Sequence, residues 1–243
     1  MNRKLLSFLL ILAIVFSLSS CGKKNKIKKE EFESAASLAV TGGWTLSDPQ
    51  DNILPEEVSE AFDDALEGYT GVGFKPVAYL GSQVVAGLNY AVLCQGTTVT
   101  ADPDTSLKVV IIYKDLEGNS QINRVNDFNI TDFTVENSSD KTSVTGLAGG
   151  WSYASAVPTE FTDDRTAAAF DNAFKRITGV KYEPLALLGT QVVSGTNYAF
   201  LCKATTVTKE PVSVIKVVAV YQDLQGNSAI TSIKDVDISD FNN

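Results

Sequence analysis

Histidine is absent from the 243 residues of this chain. That absence excludes a Ser-His-Asp triad, a Cys-His dyad and any imidazole-ligated metal. Positive charge is also scarce: 20 Lys+Arg stand against 29 Asp+Glu, a formal charge of −9 and a pI near 4.6. Such a surface repels a phosphate backbone, which argues against a nucleic-acid partner. Neither charged residues (20%) nor aromatics (9%) are extreme, so the composition is that of a folded soluble protein rather than a disordered or polytopic membrane one. The length suits one or two domains.

The one long apolar run stands at the start. Asn2, Arg3 and Lys4 precede the apolar stretch from Leu5 to Leu18, and Leu18-Ser19-Ser20-Cys21 closes it with small residues before a cysteine. At roughly 14 residues the run is shorter than the ~20 that span a bilayer. This segment resembles a bacterial lipoprotein signal with its lipobox. The resemblance implies that residues 1–21 direct export, that Cys21 carries lipid, and that the protein is held on a bacterial membrane or cell surface. Gly22 to Lys29 is polar and basic without apolar periodicity, so residues 22–34 read as a tether beside anionic headgroups.

What remains is a tandem repeat. Gly-Ser-Gln-Val-Val-Ala-Gly-Leu-Asn-Tyr-Ala-Val-Leu-Cys (Gly81 to Cys94) returns as Gly-Thr-Gln-Val-Val-Ser-Gly-Thr-Asn-Tyr-Ala-Phe-Leu-Cys (Gly189 to Cys202), about 108 residues later. Gly42-Gly43-Trp44 likewise matches Gly149-Gly150-Trp151, and Tyr113-Lys114-Asp115-Leu116 matches Tyr221-Gln222-Asp223-Leu224. The repeats read as two domains, 35–136 and 144–243, joined by a polar linker at 137–143.

Each repeat begins with a helix. Val58, Ala61, Phe62, Ala65, Leu66 and Tyr69 fall on one helical stripe after Pro55, as do Thr166, Ala169, Phe170, Ala173, Phe174 and Ile177 in the second copy. Strand-like segments follow at Phe74–Val84, Leu88–Val99, Leu107–Lys114 and Gln121–Ile130, with connections short enough for antiparallel pairing. The predicted fold class is α+β: two tandem domains, each one helix packed on a four- to five-stranded antiparallel sheet.

Strand parity places Tyr90, Val92 and Cys94 on the face beneath the helix, so Cys94 and Cys202 read as buried free thiols rather than nucleophiles. The segment Val109 to Tyr113 is apolar on both faces. Val110 and Ile112, with Val218 and Val220, are assigned to the face away from the helix. That face calls for a contact between sheets, within the chain or across a homodimer.

Gln83-Val84-Val85-Ala86-Gly87 followed by Asn89-Tyr90, and Gln191 to Gly195 followed by Thr196-Asn197-Tyr198, resemble the hairpin loop of cystatins and stefins. The order of the surrounding elements is similar too. The resemblance implies a cysteine protease inhibitor that occludes the cleft of a papain-like enzyme with three pieces. They are a glycine segment (Gly42 and Gly43; Gly149 and Gly150), a first hairpin loop (Gln83, Val84, Val85, Ala86 and Gly87; Gln191, Val192, Val193, Ser194 and Gly195) and a second loop (Leu116 and Gly118; Leu224 and Gly226). Small uncharged residues suit a narrow dehydrated groove, and glycine permits close backbone approach. The second loop departs from the family pattern, having Leu116-Glu117 and Leu224-Gln225 where many cystatins carry a bulky apolar pair. Asp115-Leu116-Glu117-Gly118 lacks the spacing of an EF-hand and reads as a turn. The partner implied is a papain-like cysteine protease, with no enzyme activity, cofactor, metal or nucleic acid. The alternative is a non-inhibitory surface module.

Overall fold

The computed structural model describes residues 43–47, 54–134, 150–154 and 164–241. The leader at 1–21 with Cys21, the tether at 22–34, the linker at 137–143, Gly42 and Gly149 lie outside them. Within the first repeat the order is β1 (Trp44–Leu46), α1 (Glu56–Leu66), β2 (Val72–Val85), β3 (Gly87–Thr98), β4 (Thr105–Lys114), β5 (Ser120–Asp127) and a short α2 (Ile130–Thr134). The second gives β6 (Ser152–Tyr153), α3 (Asp164–Phe174), β7 (Val180–Val193), β8 (Gly195–Thr206), β9 (Ser213–Gln222), β10 (Ser228–Val236) and a closing 3-10 turn, Ile238–Phe241.

Every strand pair is antiparallel, and the sheets run β1-β2-β3-β4-β5 and β10-β9-β8-β7-β6. Helix α1 follows Pro55, whose carbonyl accepts the amides of Val58 and Ser59 at 3.0 and 2.9 Å. It buries Val58, Ala61 and Phe62; α3 buries Thr166, Ala169 and Phe170 at the matching places. These are the apolar stripes that the periodicity marks.

The expectation of two α+β domains, each a single helix on a sheet, is overturned. Ten strands in two five-stranded sheets dominate the described residues, against three short α-helices and one 3-10 turn. One buried cluster also takes members from both repeats: Leu80, Leu93, Val109 and Ile111 of the first with Leu188, Leu201, Ile215 and Val217 of the second. Both repeats accordingly fall in one compact unit, Leu38–Asn243. The physical cause is coverage. A helix of 11 residues shields one face of a strongly apolar sheet, and the other face buries most area against its own repeat. The architecture is a mostly-β sandwich with short helices outside it.

Residues that follow each sheet fasten the sandwich. Ile130, expected at the end of a strand, instead starts α2, which lies on the second sheet: the Phe133 carbonyl accepts the Ser232 hydroxyl at 2.8 Å. Reciprocally, the Phe241 carbonyl accepts the Asn126 side-chain amide at 2.6 Å. Phe128 stacks between Phe133 and Phe241, with ring centroids at 4.8 and 6.0 Å.

Sheet contact was the correct expectation with the wrong face. Val218 and Val220 pack with Phe170, Tyr198, Phe200 and Cys202 beneath α3. Residues paired across strands share a face, and Tyr90 pairs with Ile112 and Val92 with Val110, so Ile112 and Val110 belong with Tyr90 and Val92. Val109, Ile111, Val217 and Ala199 form the intersheet layer. The pairing register decides this, and register follows from where each hairpin turns. Contact between the sheet faces is thus made inside one chain.

Cys94 and Cys202 are buried and free. Burial pushes both thiols far above the ordinary cysteine range, which leaves no thiolate at neutral pH. Neither should react with a thiol-specific reagent in the native chain from residue 22 onward. Two equivalents should appear only on denaturation, and prompt labelling at native pH would contradict their burial.

Candidate protein-binding edges

At one end of the first sheet, three segments converge. The hairpin between β2 and β3 turns at Val85-Ala86-Gly87, and β1 lies alongside it, Trp44 opposite Gln83. Gly43, an exposed bend just before Trp44, therefore borders Val84. On the other side, β4 delivers Asp115 to Asn119, because Lys114 pairs with both Leu88 and Ser120. The second sheet repeats the arrangement. Ser152 pairs with Thr190, which carries Gly150 toward Val192, and Gln222 pairs with both Thr196 and Ser228.

Side chains at these edges divide into braces and tips. Gln83 is only 9% exposed, and its carbonyl oxygen accepts the Asn89 amide at 2.9 Å across the hairpin stem; Gln191 accepts from Asn197 at 2.7 Å. These glutamines, assigned above to the protease-binding loop, also brace its stem. The exposed residues are Val85 and Ala86 with Leu116 (65% exposed) in the first copy, and Val192 (73%), Val193 and Ser194 with Leu224 (82%) in the second. Val84 is half-buried.

Gly87 and Gly195 are also structural. Their φ values are +138° and +136°, and a Cβ there would lie 2.4 Å from the Lys114 and Gln222 carbonyl oxygens respectively. No side chain fits either place. A charged replacement at these glycines would break the hairpin itself rather than act as a clean probe of binding.

Two tyrosines that the sequence reading left without a role fix the first loops. The Tyr113 hydroxyl donates to the Ala86 carbonyl at 2.6 Å, and the Tyr221 hydroxyl to the Ser194 carbonyl at 2.6 Å. Their signal was present in the repeat, because the Tyr-x-Asp-Leu run returns whole. It could be interpreted only once β4 was known to lie beside the loop.

The second loops are tied by their first residue. Asp115 accepts the Asn119 backbone and side-chain amides, each at 2.8 Å, and Asp223 accepts those of Asn227 at 2.9 and 2.8 Å. Hydrogen bonds from the two asparagine side chains lead the effects that hold both carboxyls below their ordinary value, so both are ionised at neutral pH. Each is occupied as a turn former, which for Asp115 is what the spacing of Asp115-Leu116-Glu117-Gly118 suggested. The Asp64 carboxylate of α1 accepts the Ser120 amide at 2.7 Å, linking this loop to the helix. Gly118 and Gly226 take φ values of +90° and +87° within the turns.

The chain matches no protein-family model, and no curated protein matches its sequence. What the described residues present to a partner is the two edges. Each is short, preformed and tipped with aliphatic side chains, with charge held at its flank. Among the described residues no group of three or more His, Cys, Asp or Glu is placed to hold a metal ion.

Proposed function

We propose that this chain is a protein-binding inhibitor that acts by inserting the tips of its edges into the active-site cleft of a papain-like cysteine protease. The observation that carries this is the convergence, at one end of each sheet, of a glycine bend (Gly43 exposed, Gly150 half-buried), an exposed aliphatic hairpin clamped by a tyrosine hydroxyl, and a second loop tipped by leucine. Burying an exposed Val or Leu on docking contributes about 1.5–3 kcal/mol when complete. A loop already held in place loses little conformational entropy in the complex.

The mode is steric, so the chain supplies no nucleophile, cofactor or metal. The resemblance of Gln83 to Gly87 and Gln191 to Gly195 to the cystatin hairpin names the enzyme class. The lipobox-like run ending at Cys21 supports export and lipid anchoring at a bacterial membrane or surface. Titrating papain with the chain from residue 22 onward tests the proposal. Stoichiometric loss of peptidase activity is the expected result, and full activity at micromolar excess would overturn it.

A further inference from the structure

The two edges face opposite ends of the sandwich. Trp44 and Leu46 stand at the hairpin end of the first sheet, opposite Gln83 and Gly81. They share a cleft of about 340 Å³ with Ser213, Val214 and Val236. Those three mark the far end of the second sheet, since β9 runs from Ser213 to its hairpin at Gln222 and Val236 pairs with Ile215. The converse contact agrees. Tyr153 lies at the hairpin end of the second sheet, opposite Gly189. Burial, together with the nearby carboxylates of Asp104 and Asp127, raises its phenol above the usual range. Those carboxylates belong to the far end of the first sheet, Asp104 just before β4 and Asp127 opposite Lys108.

Hairpin end therefore meets far end on both sides, and the shared core fixes that relation. The strands β2 and β7 each have 14 residues, about 45 Å at ~3.3 Å per residue. A monomeric protease of roughly 200 residues is about 40 Å across. Two such globules on opposite ends of a body this long do not reach each other.

We infer that one chain holds two papain-like protease molecules at once, back to back, one on the Val85/Leu116 edge and one on the Val192/Leu224 edge. This rests on the inhibitory reading above and adds simultaneous occupancy and direction. No single monomeric protease can engage both edges, so the second gives stoichiometry rather than avidity.

Light scattering of the chain from residue 22 onward in excess papain measures the mass of the saturated complex. Small-angle scattering measures its length. The expected particle contains two papains per chain and extends beyond roughly 100 Å, a little short of the end-to-end sum of about 125 Å because the tips insert into the clefts. Two single-edge variants, Val85→Asp with Leu116→Asp and Val192→Asp with Leu224→Asp, should each fall to one papain per chain.

Saturation of the unaltered chain at one papain, with both single-edge variants still binding one, would mean mutually exclusive edges and overturn this inference while leaving inhibition intact. One papain on the unaltered chain and none on one variant would show a single working edge and equally overturn it. Two papains in a compact particle would refute the opposed geometry. Absence of any complex would remove the inhibitory reading and this inference with it.

Discussion

Aspartate at all four tips, Val85, Leu116, Val192 and Leu224, should abolish papain inhibition while thermal stability stays nearly unchanged. These side chains are exposed, and exposed substitutions usually change stability by no more than ~0.5 kcal/mol. In the bound state the same residues would sit in a dehydrated cleft, where an unpaired carboxylate costs about 3–5 kcal/mol. Each buried carboxylate thus weakens its edge by roughly 10²- to 4 × 10³-fold. Inhibition constants from papain progress curves, set beside melting curves of the same proteins, check both halves. Retained inhibition with an unchanged melt would place the docking surface elsewhere.

With one edge silenced the other reports alone, and the two should not be equal. The second presents Val192, Val193 and Leu224, of which Val192 and Leu224 are mostly exposed, whereas the first presents the less exposed Val85 and Leu116. More aliphatic area remains to be buried at the second edge, so it should bind more tightly. The choice of tips follows from the geometry. A Cβ at Gly87 or Gly195 would meet backbone oxygen at 2.4 Å, and Gln83 and Gln191 brace the stem. Substituting any of those four would confound lost binding with a broken loop.

The helix stripes and the strands were legible because each rests on local periodicity. Val58, Ala61 and Phe62 repeat at helical spacing, and the hairpin turn at Gly87 falls between two β-rich runs. What the sequence concealed depended on register and on distant partners. Ile112 and Ile111 are adjacent and equally apolar, and only the pairing of Ile112 with Tyr90 assigns one to the helix side and the other to the intersheet core. Ile130 continued an apolar strand pattern, yet its segment closes over the opposite sheet, a contact about a hundred residues away in sequence. Of the candidate site, the tips Val85, Ala86, Leu116, Val192, Val193, Ser194 and Leu224 are exposed as a docking surface requires. Gln83, Gln191, Gly87 and Gly195 recur for internal reasons that a repeat alone cannot separate from binding.

A shared core has a direct thermodynamic signature. Leu93 is fully buried in the layer that both sheets build, and Leu93→Ala should destabilise the whole unit rather than the first repeat alone. Truncating a buried leucine typically costs about 2–5 kcal/mol, because methyl groups lose their neighbours and a cavity remains. For a unit of roughly 200 residues this corresponds to a fall of about 5–15 °C in Tm. Scanning calorimetry should record one transition in the unaltered chain and one, displaced downward, in Leu93→Ala. Leu201→Ala, on the other repeat but in the same layer, should displace that same transition by a comparable amount. Separate domains would behave otherwise, giving two transitions of which each substitution moved only its own. That outcome would show that the intersheet layer contributes little, and with it would go the rigid opposition of the two edges, since nothing else in the described residues fixes one sheet against the other as extensively as this layer does.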